Sequence, residues 1–314
     1  MQVGVIGYGN QSRKILIILK KLKMINKIFV YKKKKFKKDL TGKIMTTNNL
    51  NNLDNVDIVF ISSSSESHFA YIKYFINKSK FIFCEKPGIT KLNEWNFLNN
   101  LNYSQKRKVY FNFNYNFSEY FLNIAKELTS KNNGKLINFS FYASHGKAFK
   151  NKKQKISNNI FENIQGNLGI HYINFFLRIF KNIKIINSHT MNVAKKNKDT
   201  SFIYLKSKNS FGTLFLSYAS VAFKYAIIHF SNSILIFDNN HIKKYSPRDV
   251  FSNNGLFVTP KKKIINKLKK NHIQKTLDLS IKFFFKSINN NLLSVKDFNL
   301  AINSAKVLIN MSKN

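Results

Sequence analysis

Cysteine, proline, glycine and acidic side chains are all scarce in this chain. One cysteine, Cys84, occurs among 314 residues. That excludes an internal disulfide and any metal site resting on paired thiolates. Proline occurs three times and glycine eleven times, so the places that carry them stand out. Fourteen Asp and Glu face fifty-three Lys and Arg, a formal charge of +39. Such a balance ordinarily points to nucleic acid. Here Lys, Asn, Ile, Phe and Tyr are in excess together while Ala and Arg are scarce, which is what a strongly AT-rich genome imposes on any protein. The lysines are scattered, apart from runs at Lys32 to Lys35 and Lys261 to Lys263. Neither a basic recognition helix nor an aromatic RNA-binding sheet motif is visible. No specific nucleic-acid partner is expected, only weak non-specific binding at low salt. Long hydrophobic runs are missing too. Stretches such as Phe81-Ile82-Phe83-Cys84 are far too short for a bilayer, and Met1 leads straight into a strand. The expectation is a cytoplasmic protein with no membrane partner.

What is present is enough for a core: 44% of the residues are hydrophobic, and the length suits two domains. The first third alternates short apolar strands with amphipathic helices. Strands are expected at Gln2–Ile6, Lys27–Tyr31, Ile58–Ser62, Phe81–Cys84 and Val109–Phe113, and helices over Arg13–Lys23, Ser67–Asn77 and Lys91–Leu101. That alternation implies βαβ units and a parallel sheet. After about Phe117 the pattern changes. Leu136–Ser144, Lys184–Val193, Ser201–Lys206, Thr213–Ala219, Ala226–Ser231 and Ile234–Asp238 read as strands, and Lys208-Asn209-Ser210-Phe211-Gly212 as a hairpin connection. Helices are expected over Gln165–Phe180, Gln274–Asn289 and Val295–Met311, and an exposed basic loop over Lys150–Asn159. The reading is an α/β chain. A Rossmann domain over 1–117 precedes an α+β domain over 118–314 with a mainly antiparallel sheet.

Three motifs carry chemistry. The first is Val3-Gly4-Val5-Ile6-Gly7-Tyr8-Gly9-Asn10-Gln11-Ser12, an apolar strand ending in Gly-x-Gly and running into a helix. In that context the glycines permit a tight turn and close approach of a pyrophosphate to the helix N-terminus. Ser12 replaces the usual third glycine and is small enough for helix–strand packing. The alternative is a tight turn with no ligand. The second motif is Cys84-Glu85-Lys86-Pro87 at the carboxyl end of a strand, where ligands of open parallel sheets lie. Lys86 there can reach cofactor and substrate, and Pro87 fixes the backbone with room for a cis bond. The alternative is an exposed Glu–Lys pair opening a loop. The third is Gln165-Gly166-Asn167-Leu168-Gly169-Ile170-His171-Tyr172-Ile173-Asn174. If helical, it puts Asn167, His171 and Asn174 on one face. His171 would exchange a proton near neutral pH, or it is a satisfied structural histidine.

Together these motifs resemble the Gfo/Idh/MocA family of NAD(P)-dependent oxidoreductases along essentially the whole chain. Gly7-Tyr8-Gly9 matches the nucleotide turn. Ser62-Ser63-Ser64-Ser65-Glu66-Ser67-His68 is similar to its Thr-Pro-Asn-x-x-His segment. Glu85-Lys86-Pro87 matches its Glu-Lys-Pro signature, and Phe113-Asn114-Tyr115-Asn116-Phe117 resembles its Phe-Asn-x-Arg-Phe junction. Gly169 to Asn174 is similar to its Gly-x-His-x-x-Asp segment. The resemblance implies a dehydrogenase or reductase acting on CH–OH groups. Its implied cofactor-binding residues are Gly7, Tyr8, Gly9, Asn10, Gln11, Ser12, Lys32, Ser62, Ser63, Ser64, His68, Glu85 and Lys86. Lys86 and His171 would be catalytic, and Lys86, Asn114, Asn167 and His171 would bind a sugar, nucleotide sugar or polyol.

The chain departs from the family where relatives carry charge. Asn167 stands in place of an Asp four residues before the histidine, Asn174 in place of a second Asp, and Asn116 in place of the junction Arg. Those losses raise the alternative of a non-catalytic member that keeps the cofactor. A basic nucleic-acid-binding protein is the remaining rival. No acid stands near the end of the second strand, which runs Val30-Tyr31-Lys32-Lys33. An acid there ordinarily holds the ribose 2′-hydroxyl. Lysines would attract a 2′-phosphate, which tilts the cofactor from NAD towards NADP, unless the run is merely solvated. No metal is expected. A homodimer or homotetramer is implied by the family's use of the open face of the second sheet.

Overall fold

The computed structural model describes residues 1–34, 42–146, 148, 159–180, 182–194, 198–238, 240–245, 251–268, 275–290 and 293–312. The loop expected over 150–159, apart from Asn159, lies outside the described residues, as do Lys35 and Gln274. The chain forms two compact units, one of Met1–Asn114 with Leu277–Asn314, the other of Tyr115–Thr276.

The first unit is built on a six-stranded parallel sheet. Its strands are β1 (Gln2–Ile6), β2 (Lys27–Tyr31), β3 (Ile44–Thr47), β4 (Ile58–Ile61), β5 (Phe81–Glu85) and β6 (Val109–Asn112), in spatial order β3-β2-β1-β4-β5-β6. That is the doubly wound Rossmann order, with its switch point between β1 and β4. All four residues of β4 are buried, as an apolar central strand covered on both faces must be. Helix α1 (Asn10–Lys21) follows β1 and buries Ser12, Ile15, Leu16 and Leu19, one face at helical spacing. Lys20 and Lys21 in its last turn suit the negative end of the helix dipole. Helices α2 (Ser65–Phe75), α3 (Leu92–Asn99) and α4 (Tyr103–Lys106) complete the crossovers. Strand β3 was not expected. It is a four-residue edge strand of mixed polarity, Ile-Met-Thr-Thr, with too little apolar alternation to register.

The second unit opens with helix α5 (Glu119–Thr129), also unexpected. The Ser118 hydroxyl caps it by accepting from the Phe121 N–H, and it buries Tyr120, Phe121 and Ile124. An eight-stranded sheet follows in the order β14-β13-β12-β11-β7-β10-β9-β8. Its strands are β7 (Leu136–Ser144), β8 (Lys184–Met191), β9 (Thr200–Ser207), β10 (Ser210–Ser217), β11 (Lys224–Phe230), β12 (Ile234–Phe237), β13 (His241–Tyr245) and β14 (Lys262–Lys267). All pairings are antiparallel except β7 with β10. The chain between those two includes a helix and two further strands, so the mainly antiparallel reading holds with one parallel pair. The β9–β10 connection is only Lys208 and Asn209. Ser210 already pairs with Ser207, so Ser210, Phe211 and Gly212 are strand rather than turn. Strands β13 and β14 were missed because lysines interrupt their alternation. Lysines on the edge strand are a device against edge-to-edge pairing.

Between β7 and β8 the chain makes one turn of π-helix over Gln165–Gly169 and continues as α6 (Ile170–Ile179). The aromatic face of α6 covers the sheet. Phe176 lies 5.4 Å from Phe139 and 5.0 Å from Phe141, ring centre to ring centre.

The last two helices, α7 (Thr276–Asn289) and α8 (Val295–Met311), correct the expected boundary. Chain order put them in a second domain over 118–314, yet from Leu277 onward they belong to the first unit. The reason is burial. Leu277, Ile281, Phe284, Phe285 and Ile288 share one core with Val3, Val5, Ile58, Phe60 and Phe83. Phe284 sits 5.4 Å from Phe83 and 5.9 Å from Phe60. Each fully buried Phe is worth about 1.5–3 kcal/mol of removed apolar surface, so one face of the parallel sheet depends on chain that arrives last.

Candidate active site

In the first unit, the three expected cofactor segments follow the carboxyl ends of adjacent strands, Gly7 after β1, Ser62 after β4, Lys86 after β5. Gly7 has φ +99°, and a Cβ there would lie 2.9 Å from the Ser62 carbonyl oxygen. Both the turn and the close approach require glycine. Gly9 differs. A Cβ on it would meet nothing within 4 Å, so the space before the N-terminus of α1 is an open cradle. It is bordered by a helix with no acid in its first turn, the arrangement a pyrophosphate needs. Tyr8 is held by the Arg13 guanidinium 5.0 Å from its ring centre. Asn10 is exposed.

Several expected cofactor residues are spent inside the protein. Ser12 is fully buried, its hydroxyl 2.8 Å from that of Ser62 and donating to the Ser62 carbonyl at 3.2 Å. Serine in place of the third glycine therefore ties α1 to the end of β4. His68 is buried with Nδ1 2.7 Å from the Pro87 carbonyl and Nε2 3.1 Å from that of Ser63. A neutral ring has one N–H to donate. Burial, the dominant influence, holds the His68 pKa below its ordinary value, although both carbonyls act the other way. The neutral ring therefore donates to one of the two carbonyls, while its other nitrogen only lies against the second. Glu85 Oε1 accepts from Gln11 Nε2 at 2.8 Å and from Asn112 Nδ2 at 2.7 Å. Burial raises the Glu85 pKa and the two amide donors oppose that rise. Lys86 follows, half-buried, with a cis peptide to Pro87.

Beside these segments is a cleft of about 210 Å³ lined by Gly7, Tyr31, Lys32, Lys33, Ser63 and Tyr71, among others, with Ser64 at its edge. Among the described residues no carboxylate lines it. β2 ends on Tyr31, packed edge-on against Tyr71 at 6.3 Å, and Lys32 comes next.

In the second unit, His171 opens α6. It is buried, and its ring stacks on Tyr115 at 4.2 Å and 14°. Asn167 was expected on the same helical face. It lies instead in the π-helical turn, where its amide donates to the Glu162 carbonyl and bonds the Tyr218 side chain. Asn174 is buried and accepts from Asn116 Nδ2 at 3.0 Å. The two amides standing where relatives carry Asp and Arg are therefore bonded to each other. Tyr115 and Lys224 were not expected as site residues. Lys224 Nζ lies 4.6 Å from the Tyr115 ring centre. Asn114 ends the first unit in a 3₁₀ turn over Asn114–Phe117. Among the described residues no group of three His, Cys, Asp or Glu is placed to hold a metal, and no helix is long and apolar enough to cross a membrane.

Residues 1–113 match the family model of oxidoreductases with an NAD-binding Rossmann fold, Gfo/Idh/MocA. Over those residues the chain is similar to that family. A search among curated proteins gave no match. Solved structures share the fold over nearly the whole chain. A dehydrogenase (MviM) from Clostridium difficile is 17% identical with a TM-score of 0.73, covering 100% of this chain and 99% of its own. A UDP-N-acetylglucosamine 3-dehydrogenase from Acidithiobacillus ferrooxidans is 13% identical with a TM-score of 0.71, covering 99% and 97%. An Agrobacterium radiobacter oxidoreductase in complex with NAD+, L-tartaric acid and magnesium is 14% identical with a TM-score of 0.74, covering 100% and 96%. The family's Rossmann domain binds NAD, and the open cradle at Gly9 fits such a nucleotide.

The two glycines should separate by experiment. Gly7→Ala is expected to cost about 1–3 kcal/mol of stability, the scale of one strained backbone residue. Gly9→Ala should cost at most about 1 kcal/mol, the scale of a helix-cap change, yet weaken nucleotide binding tenfold or more. Denaturant unfolding and nucleotide titration of both variants check this. Equal stability losses, or unchanged affinity in Gly9→Ala, would contradict the assignment of the cradle.

Proposed function

We propose that this protein is a nicotinamide-dependent oxidoreductase acting on a CH–OH group of a sugar, nucleotide sugar or polyol. The observation that supports it most is the convergence at neighbouring strand ends of the Gly7 turn, the Ser62–Ser64 loop and Lys86, with an open cradle in front of α1. Gly7, Tyr8, Gly9, Asn10, Gln11, Ser63 and Ser64 would hold the nucleotide. Ser12, Ser62, His68 and Glu85 would keep those loops in place. When bound, the nicotinamide supplies or accepts the hydride. Lys86 polarises the substrate oxygen and His171 takes or returns its proton. Asn114 and Asn167 bind substrate hydroxyls. The dehydrogenase activity of the Acidithiobacillus relative on a nucleotide sugar supports that substrate class by analogy of fold alone.

Lys32 and Lys33 line a cleft with no carboxylate among the described residues, which favours NADP over NAD. Replacing both with Ala is expected to weaken NADPH at least about fivefold more than NADH, the scale of one exposed charge-assisted contact. Equal effects on the two would show that these lysines are only solvated.

His171→Ala should lower kcat by roughly 10²-fold with nucleotide affinity nearly unchanged, whereas Lys86→Ala should reduce both. Full activity of His171→Ala on an identified substrate would exclude its role. The rival is a non-catalytic cofactor-binding member, motivated by Asn116, Asn167 and Asn174 where relatives carry charge; nucleotide binding with no turnover on any sugar, nucleotide sugar or polyol would favour it.

We also propose a homodimer or homotetramer formed through the open face of the second sheet. Tyr142 and Tyr204 stand exposed there beside half-buried Phe215, Tyr225 and Phe202. Light scattering should give a multiple of 36.7 kDa, and a monomer at micromolar concentration would rule this out.

A further inference from the structure

Between β13 and β14 the chain forms a small hairpin. Phe251 bridges Phe257 in antiparallel sense. The turn is closed by the Ser252 N–H donating to the Leu256 carbonyl at 2.8 Å and the Gly255 N–H donating to the Ser252 carbonyl at 2.9 Å. The two phenylalanine rings lie 4.8 Å apart. Surface turns ordinarily present polar side chains to water. This one exposes Phe251 at 57%, Leu256 at 68%, Phe257 at 82% and Val258 at 44%. Among the described residues no large apolar side chain is more exposed than Phe257. Pro260 follows closely and lines an open cleft of about 540 Å³ with Ile137, Phe230 and Ile234, among others. Apolar surface therefore continues from the hairpin to the end of the sheet. Lys261, Lys262 and Lys263 come next, all exposed, with Ile264 exposed beside them. From Phe251 to Thr276 the sequence holds no Asp or Glu.

We propose that this hairpin and the lysines after it dock the protein on an anionic phospholipid membrane, with the apolar side chains in the boundary between headgroups and acyl chains. A contiguous exposed apolar patch marks a contact surface, and the charge beside it selects the partner. That partner has to offer apolar depth to Phe251, Leu256, Phe257 and Val258 and negative charge to the lysines, within the span of one hairpin. A leaflet of acidic lipids offers both. The lysine stems can lie along the apolar patch with their ammonium groups among the lipid phosphates. A second copy fits less well, because a twofold contact between hairpins sets one lysine run against the other. A single strand of nucleic acid supplies the charge, but Leu256 and Val258 give its bases no ring to stack on. No helix among the described residues is long and apolar enough to cross a membrane, and a contact lying in the interface requires none. Charge alone would draw a chain of +39 to any anionic surface, and salt would screen that attraction. The apolar side chains add a contribution that salt does not screen. The docking surface is independent of the nucleotide site.

The test is co-sedimentation of the full chain with vesicles of phosphatidylcholine alone and of phosphatidylcholine mixed with phosphatidylglycerol, at low and at physiological salt. Binding to the mixed vesicles should persist at physiological salt and be at least about tenfold tighter than binding to phosphatidylcholine alone. Replacing both aromatic side chains, Phe251→Ser with Phe257→Ser, should weaken it by about tenfold or more at physiological salt. The triple change Lys261→Gln, Lys262→Gln and Lys263→Gln should weaken it by a similar factor. Phe257→Trp keeps the apolar character and reports depth: its emission should shift to the blue on adding mixed vesicles. The wild type, with Trp95 as its only tryptophan, should show no such shift. No binding at physiological salt, a double-serine variant that binds as tightly as the wild type, or no blue shift from the Phe257→Trp variant would each overturn the proposal. A double-serine variant of smaller mass by light scattering, with a wild type that ignores vesicles, would make a second copy the occupant and overturn it too.

Discussion

One buried carboxylate holds the nucleotide-binding edge of this protein together. Glu85, at the end of β5, accepts from Gln11 in the first turn of α1 and from Asn112 at the end of β6. Asn112 in turn accepts from Ser280 of α7, whose hydroxyl also meets that of Tyr110 at 2.9 Å. A single acceptor thus connects the glycine turn, the neighbouring strands β5 and β6 and a helix contributed by the far end of the chain. Every member of such a network must be satisfied, since an unpaired buried polar group costs as much as several good contacts contribute. The position of Lys86 follows from it, because Lys86 is the next residue.

Around that carboxylate the other bonds are short-range locks. His68 is buried between the carbonyls of Ser63 and Pro87 and donates to one of them, and Ser12 joins α1 to Ser62. They leave the outer surface of the edge to backbone and small side chains. Dinucleotide recognition needs that arrangement: rigid loops, free N–H groups and little side-chain bulk. The second unit follows a different rule. Its helix α6 is pinned by aromatic packing against the sheet, and the polar residues His171, Asn167 and Asn174 are placed by the π-helical turn and by neighbours from the Tyr115–Phe117 segment. π-Turns recur where a helix must re-aim a side chain at a functional site.

Much of this was legible in the sequence. Strands such as Gln2–Ile6, Lys27–Tyr31 and Leu136–Ser144 have the bounds that apolar runs suggest, because central strands are buried and their pattern is strong. Edge strands β3, β13 and β14 were not legible. An edge is kept polar or basic against aggregation, and this erases the period-2 signal. The membership of α7 was hidden for another reason. Amphipathicity shows that Phe284 is buried but not against what. In the site, the glycine turn and Glu85-Lys86-Pro87 announced themselves by local motif. Tyr115, stacked on His171, and Lys224, over the Tyr115 ring, did not, because sheet register and loop packing alone bring them together. The one available signal was parity, a lysine in step with Ala226, Ile228 and Phe230. The Asn116–Asn174 bond was not legible either, because it joins residues 58 positions apart in the chain.

The central claim is that the carboxyl edge of the six-stranded sheet is a working nicotinamide-nucleotide site. Calorimetric titration of the wild-type protein with NADH and NADPH tests it most directly. Saturable binding of one molecule per chain at micromolar concentration is predicted, about −8 kcal/mol at 1 μM, with NADPH the tighter ligand. No saturable binding of either nucleotide up to millimolar concentration would contradict it.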